Sequence, residues 1–310
     1  MSEIEHKRLV GLALGAGGAI LFSLKGVIMK IAFENGGGVE LMMALRMGMA
    51  LPFFLAIGYR FRPNTGEAIP VRIYVAAGAL GVLSYYGCTW LDFTGLLYIS
   101  AQLERLILFL YPTFTALLAW IFLKDRLTWR HAAALCVSYV GVAVLALREL
   151  SDAGSNAALG ASFVLLAAVL FAGYVTASKP VIMKMGSAYF TTIAMSTASV
   201  FIIAHFFWTH GLSGPVEDQA GVSLRLWILG AILAVLCTVM PSFMISEAIA
   251  RIGPGLASAV GGIGPVATAI FAIIILGEPF GWPHATALAL TTGGILLLSQ
   301  ATTSIDAKRA

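Results

Sequence analysis

Residues 123–131 read LKDRLTWRH, and residues 276–284 read LGEPFGWPH. Leucine, tryptophan and histidine recur at the same places, and an acid stands third in both. The match extends outward: Tyr98–Ala146 and Arg251–Ser299 align without a gap at a shift of 153 residues, with 15 identities in 49 pairs. Shared apolar composition would not also match proline, tryptophan, histidine and glycine. The chain therefore contains an internal duplication.

The composition indicates that the solvent of this chain is largely lipid. Of the 310 residues, 59% are apolar and 11% are charged, and the mean hydropathy is +0.92. A soluble domain carries about 25% charged residues. We therefore predict an all-α integral membrane protein with the lipid bilayer as its surroundings. We interpret the net charge of +4 through membrane topology, and expect no nucleic-acid partner.

The apolar runs predict ten transmembrane helices, because a helix needs about 20 apolar residues to cross the hydrocarbon core. The runs lie near 9–31, 40–60, 71–92, 99–123, 131–148, 158–179, 187–209, 225–247, 254–276 and 283–301. Basic residues are in excess on cytoplasmic segments of membrane proteins. With both termini inside, thirteen bases fall in cytoplasmic segments and three in outer ones. We therefore predict cytoplasmic termini, and a location in the bacterial inner (plasma) membrane.

The duplication predicts how the two halves are oriented. Residues 1–150 and 155–305 each hold five predicted spans. Because five is odd, the second copy must enter the membrane from the opposite side. The prediction is thus two inverted five-helix repeats, an architecture in which many secondary transporters rock two halves about a site at the midplane.

Two matching series of motifs carry a resemblance to a known family. They are Leu97–Ala101, Tyr111-Pro112 and Leu123–Leu127 in the first copy, and Gly255–Ala259, Gly264-Pro265 and Leu276–Glu278 in the second. Together they resemble the EamA-type branch of the drug/metabolite transporter superfamily, over nearly the whole chain. The resemblance implies a small-molecule transporter that is not an enzyme and needs no cofactor. It leaves the substrate open, because members move amino acids, other metabolites and drugs.

Prolines inside predicted spans indicate where helices are interrupted. Pro112 and Pro265 occupy corresponding positions in the two copies, and Pro241 lies inside the eighth span. A proline removes a backbone donor and bends a helix. Interruptions at matching positions point to a transporter's binding site. We predict these prolines and Gly264 as kink or gating positions. The alternative is a packing kink without ligand contact, which the glycines around Pro265 also fit.

Charged side chains within predicted spans are candidates for substrate binding, because a charge in the bilayer core is costly. They are Lys25, Arg46, Glu104 and Arg105, with a summed charge of +2. A cavity with that surplus favours an anionic group such as a carboxylate. The alternative is that Glu104 neutralises one base, while Lys25 and Arg46 snorkel to the outer interface.

The second copy lacks these charges, so the fold does not demand them. Tyr174 stands where the first copy has Lys25, and Ser258 stands where it has Arg105. We predict a cavity walled by spans one, three, four, six, eight and nine, with Lys25 and Arg105 binding the substrate's acidic group. Further candidate wall residues are Arg46, Glu104, Ser258, Tyr85, Tyr86, Tyr111 and Tyr174. A tyrosine within a span can also serve packing alone.

The function predicted from these features is secondary transport of small polar metabolites, such as amino acids or related carboxylates, by alternating access. Protons are a further candidate partner, with His205 as a candidate sensor. A monomer suffices, and a dimer stays open. Cationic-drug efflux is an alternative, disfavoured because Glu104 is the one acid expected to meet a cation. A membrane enzyme or lipid-handling protein is another, but no reactive cluster, metal motif or acidic pair at a common depth is expected.

Overall fold

A computed structural model describes residues 3–62, 69–123, 129–153, 155–210 and 222–309. Within these ranges the regular structure is helical. The α-helices are α1 Glu3–Glu34, α2 Val39–Arg60, α3 Val71–Gly81, α4 Thr89–Leu96, α5 Ala101–Leu108, α6 Tyr111–Leu123, α7 Trp129–Ala153, α8 Ser155–Met185, α9 Ser187–His210, α10 Leu224–Ala234, α11 Met240–Val260, α12 Ile263–Phe271 and α13 Trp282–Arg309. Short π-helical segments span Val82–Cys88, Val235–Val239 and Ala272–Leu276.

Six helices in the described ranges are long and apolar enough to cross a membrane. They are Glu5–Glu34, Val39–Arg60, Val71–Leu96, Asn156–Met185, Ser187–His210 and Leu224–Gly253. They coincide with predicted spans one, two, three, six, seven and eight. A shorter apolar helix covers Ile263–Leu276. The full set of ten crossings stays a prediction.

The fourth and ninth predicted spans are interrupted, and the interruptions match. Helix α5 ends at Leu108 and α6 begins at Tyr111. Helix α11 changes direction at Gly253, whose φ is 78°, and gives way to α12 after Val260. Pro112 and Pro265 lie in the first turn of α6 and α12, where a missing N–H is tolerated. Each proline therefore marks the start of a new helix, rather than a bend inside one.

Two of the three π-helical segments begin at equivalent positions of the duplication. The segments that begin at Val82 and Val235 are separated by 153 residues. Pro241 follows the second one, as the second residue of α11. A π-helical turn widens the helix and is frequent at functional sites. The two copies therefore share a local distortion that the apolar pattern alone does not predict.

Helices α7 and α13 pack through reciprocal contacts between equivalent residues. Ser138 Oγ donates to the carbonyl of Thr291, and Thr291 Oγ1 donates to the carbonyl of Ser138, both at 3.4 Å. Gly141 lies against Thr291, and Gly294 lies against Ser138. Ser138 and Thr291 are 153 residues apart, and so are Gly141 and Gly294. A local two-fold axis produces such reciprocity between equivalent residues.

The closeness of α7 and α13 can be tested with Gly141→Ala. The added Cβ would lie 2.5 Å from Thr291 Oγ1 and 2.9 Å from the carbonyl of Ala287. Overpacking of this kind costs about 1–3 kcal/mol, so the melting temperature in detergent should fall. Gly48→Ala is the matched control, because the space around Gly48 is open to 4 Å. Equal melting temperatures for the two variants would contradict the packing.

Candidate functional site

A cavity lies among α1, α2, α5, α6, α8, α11 and the π-helical segment Val82–Cys88. It holds about 920 Å³ of empty space, counting the part open to solvent. Its charged wall residues are the bases Lys25, Arg46 and Arg105. Its aromatic ones are Phe22, Tyr85, Phe109, Tyr111 and Phe171. Most of this wall comes from the predicted spans one, three, four, six, eight and nine. Helix α2, which lies outside that predicted set of spans, adds Arg46.

Arg46 is a buried cation at the cavity, with an exposed fraction of 1%. Its guanidinium carbon lies 5.4 Å from the centroid of the Phe93 ring, which stabilises the charge through the ring face. Its Nε and Nη1 atoms have no hydrogen-bond partner. Arg46 therefore does not snorkel to the interface, and two of its donors have no partner in the described structure.

Arg105 occupies space that Gly264 leaves empty. A Cβ at Gly264 would lie 2.6 Å from Nη2 of Arg105. The carbonyl of Gly264 is held by Ser23, whose Oγ donates to it at 2.9 Å. The Nε atom of Arg105 is buried without a hydrogen-bond partner. Because Gly264 of the second copy has no side chain, it leaves room for Arg105 of the first copy at the cavity wall. The position of Gly264 beside Pro265 did not predict this role.

Lys25 is ion-paired rather than free. Its ammonium hydrogen-bonds Asp92 Oδ2 and lies 3.9 Å from Glu104 Oε1. Asp92 and Glu104 are 0% and 1% exposed, and both carboxyls lie beside the same ammonium. The two acids therefore form a second layer behind Lys25, away from the open cavity.

The expectation that no two acids share a depth is wrong, and Asp92 is the reason. The sequence does not single out Asp92, because it is the last residue of the third apolar run, where a charge reads as a boundary. Helix α4 continues to Leu96 and keeps Asp92 inside. The three bases and two acids of the cluster leave a net charge of +1 rather than +2 when both acids are ionised.

The predicted tyrosines have different positions. Tyr111 lines the cavity. Tyr174 is buried behind the wall, where its ring stacks on Phe171 and meets the Tyr85 ring edge-on, with centroids 5.8 Å apart in both pairs. Tyr86 packs edge-on against His205 at 5.5 Å. The side chain of Ser258 is not among those that the structure describes.

A group of hydrogen bonds joins three helical segments at the N-terminus of α5. Ser100 caps this helix by accepting from the backbone N–H of Leu103. Glu149 accepts from the backbone N–H and hydroxyl of Ser100. Glu278 accepts from the N–H of Ala101 at 2.9 Å. Carboxylates are stabilised at a helix N-terminus, so these bonds tie the end of α7 and the segment before α13 to α5.

The cavity extends away from the hydrogen bonds at the N-terminus of α5. Its wall runs along α1 from Lys25 to Gly15, toward the end of the helix that holds the chain's N-terminus, and along α11 past Ala248. Near the same face, Glu247 is bonded by the hydroxyl of Ser187 and by Arg251 Nε at 2.8 Å. The bonds of Glu149 and Glu278 and the bonds of Glu247 thus lie toward opposite ends of α1, near Lys30 and Gly11 respectively. Within the described ranges, no group of three His, Cys, Asp or Glu residues is placed to hold a metal ion.

Comparison with known proteins gives consistent matches. The EamA-like transporter family matches the chain twice, over residues 9–147 and 158–300. The uncharacterized transporter YcbK of Bacillus subtilis is 28% identical over 271 residues, which cover 85% of this chain and 84% of YcbK. A probable terminal-alkyne amino-acid exporter of Streptantibioticus cattleyicolor is 30% identical over 151 residues, 43% of this chain and 49% of that protein.

A solved crystal structure has the same fold. It superposes with a TM-score of 0.66 and covers 96% of this chain and 99% of its own. The sequence identity is 17%, so this likeness concerns the fold alone.

The charge cluster predicts a strong effect of Lys25→Met on stability. Removing the ammonium leaves Asp92 and Glu104 buried without their cation, and breaking a buried pair in this way costs about 3–5 kcal/mol. The melting temperature in detergent should fall accordingly. Adding Asp92→Asn removes one of the two carboxylates and should restore most of the loss. An unchanged melting temperature for Lys25→Met alone would contradict the ion pair.

Proposed function

Because the chain belongs to the EamA-like transporter family, we propose that it is a secondary transporter of small carboxylate-bearing metabolites, amino acids among them. The family and the named relatives make it an integral membrane transporter of small molecules, not an enzyme. The observation that carries the substrate class is the set of unpartnered guanidinium donors of Arg46 and Arg105 at the cavity.

A bound carboxylate would satisfy those donors. A buried donor without a partner costs about 1–3 kcal/mol. A guanidinium binds a carboxylate through parallel, charge-assisted hydrogen bonds. The wall around it is apolar and aromatic, with Phe22, Tyr111 and Phe171 available to contact an apolar side chain. The name of the Streptantibioticus relative, an amino-acid exporter, agrees with this class.

We propose ten membrane crossings, arranged as two inverted five-helix halves at 1–150 and 155–305. The matched helix breaks, the matched π-helical segments and the reciprocal α7–α13 contacts support this arrangement. With both termini in the cytoplasm of a bacterial cell, the cavity extends toward the cytoplasm. The bonds of Glu149 and Glu278 then close its outer end. Transport proceeds by rocking the halves so that this end opens and the other closes.

A cationic substrate is the second candidate, because Asp92 and Glu104 supply two buried acids where the sequence predicts one. Lys25 stands between these acids and the cavity, and the wall charges that a ligand meets are basic. A cation would therefore have to displace Lys25 first, which makes this candidate the weaker of the two.

The substrate class can be tested with Arg46→Gln and Arg105→Gln in proteoliposomes. Labelled phenylalanine and N-acetylphenylalanine share a carboxylate and differ in the ammonium, and benzyltrimethylammonium is the cationic probe. A hydrogen bond to a charged group contributes about 1.5–3 kcal/mol, so each variant should transport the carboxylates about tenfold more slowly or worse.

Arg251→Gln is the matched control, because Arg251 lies exposed at the membrane face. Protein-free liposomes give the background. Transport of both carboxylates at the wild-type rate by both variants would sink the proposed site. Uptake of benzyltrimethylammonium alone would favour the cationic alternative.

The close contact between Arg105 and Gly264 gives an independent test, which is the substitution Gly264→Ala. The added Cβ pushes the guanidinium away from the cavity wall, and a displacement of about 1 Å can cost up to about a hundredfold in activity. Transport of phenylalanine should fall at least about tenfold. Because Arg105 has a flexible side chain, the melting temperature should stay close to that of Gly48→Ala. A fully active Gly264→Ala variant would show that Arg105 does not need this position.

A further inference from the structure

The acid pair behind Lys25 is not used by the proposed carboxylate site. Asp92 and Glu104 come from different helices, α4 and α5, and are almost completely buried. One oxygen of each, Asp92 Oδ1 and Glu104 Oε1, has no hydrogen-bond partner. One lysine thus faces two buried carboxylates, and two of their oxygens are left with capacity to bind a further cation or proton.

Two carboxylates placed beside each other repel when both are ionised, and a proton bound to one of them relieves that repulsion. The charged and titratable groups around the pair are Lys25 and Lys30 of α1, Arg46 of α2, Cys88 of the π-helical segment, Arg105 of α5, Glu149 of α7 and Glu278 before α13. Of these, Lys25 is the cation in direct contact with the pair.

We propose that Asp92 and Glu104 form a proton-binding site, and that a proton bound there is carried together with the anionic substrate. This inference rests on the proposed function, and it adds the coupling ion and the direction of the coupling. The proton comes from water in the cavity and binds Glu104, while Lys25 stays bonded to Asp92. It returns to water when the cavity opens to the other side.

The sign of the coupling follows from charge. Protonating the pair raises the net charge of the five-residue cluster from +1 to +2, which strengthens the attraction for a carboxylate at Arg46 and Arg105. By reciprocity, a bound carboxylate favours the proton. For a singly charged carboxylate without an ammonium, anion and proton together are neutral, so the loaded carrier moves no extra charge through the membrane. For such a substrate the balance of charge favours symport over exchange.

The ammonium of a zwitterion does not replace this proton. Lys25 separates the two acids from the cavity, so an ammonium in the cavity meets a like charge first. A carboxylate without an ammonium should therefore bind at least as tightly as the corresponding amino acid. This distinguishes the acid pair from a direct recognition site for an amino group.

The proton site can be tested without any substrate, by infrared spectroscopy of the purified protein at pH 6 and pH 8. The wild type should show a protonated-carboxyl band at pH 6 that Glu104→Gln lacks. Glu247→Gln, an acid at the membrane face, is the matched control and should keep the band. If Glu104→Gln does not fold, Asp92→Asn provides the comparison, because Glu104 then ionises beside Lys25. Spectra that are identical in the wild type and the folded variant overturn the site.

The coupling can be tested by calorimetric binding of N-acetylphenylalanine, which is ionised over this pH range, with phenylalanine as its zwitterionic partner. The wild type should bind N-acetylphenylalanine about fivefold or more tightly at pH 6 than at pH 8. The heats in buffers of different ionisation enthalpy should report proton uptake on binding, and Glu104→Gln should lose both effects. Wild-type binding that is equal at both pH values overturns the coupling and leaves the proposed function standing. Binding of neither probe sinks the proposed carboxylate substrate, while the infrared result still decides the proton site.

Discussion

The arrangement of this protein depends on placing five charges inside a bundle that lipid surrounds. A charge in hydrocarbon is tolerated only with a partner, a ring face or a water-filled space beside it. Lys25 has Asp92 and Glu104, Arg46 has the ring of Phe93, and Arg105 has the room beside Gly264. These contacts bring α1, α2, α4, α5 and α12 together at one depth. The guanidinium groups at the cavity leave part of their hydrogen-bonding capacity unused.

Both copies of the duplication share backbone features, whereas the charges at the cavity occur in one copy. Features that recur at a shift of 153 residues are backbone features: helix breaks, π-helical turns and small residues at helix contacts. The cavity's charges come from the first copy alone, with Tyr174 where the first copy has Lys25. The repeated features thus form the helix framework, and the charged side chains at the cavity come from the first copy. A shared scaffold with unshared charges suits a family whose members carry different substrates.

Much of the fold follows from local sequence, and the site follows only in part. Apolar runs and basic residues are local signals, so they predict the six long helices and the matched interruptions near Pro112 and Pro265. Lys25, Arg46, Arg105 and Tyr111 stand out because of their depth. Asp92 does not stand out, because a charged residue also commonly marks the end of a membrane span. The contact between Arg105 and Gly264 joins two residues that lie far apart in the chain. No rule of sequence spacing predicts such a contact.

The bond between Glu278 and the backbone of Ala101 has a consequence for the resting state of the carrier. The residue equivalent to Ala101 in the second copy is Pro254, which has no backbone N–H to give. The second copy therefore cannot make the same bond, whichever carboxylate approaches. If the two halves are inverted as proposed, this bond exists at one end of the bundle and has no counterpart at the other. The asymmetry would then favour the state of the empty protein in which the Glu278 end is closed.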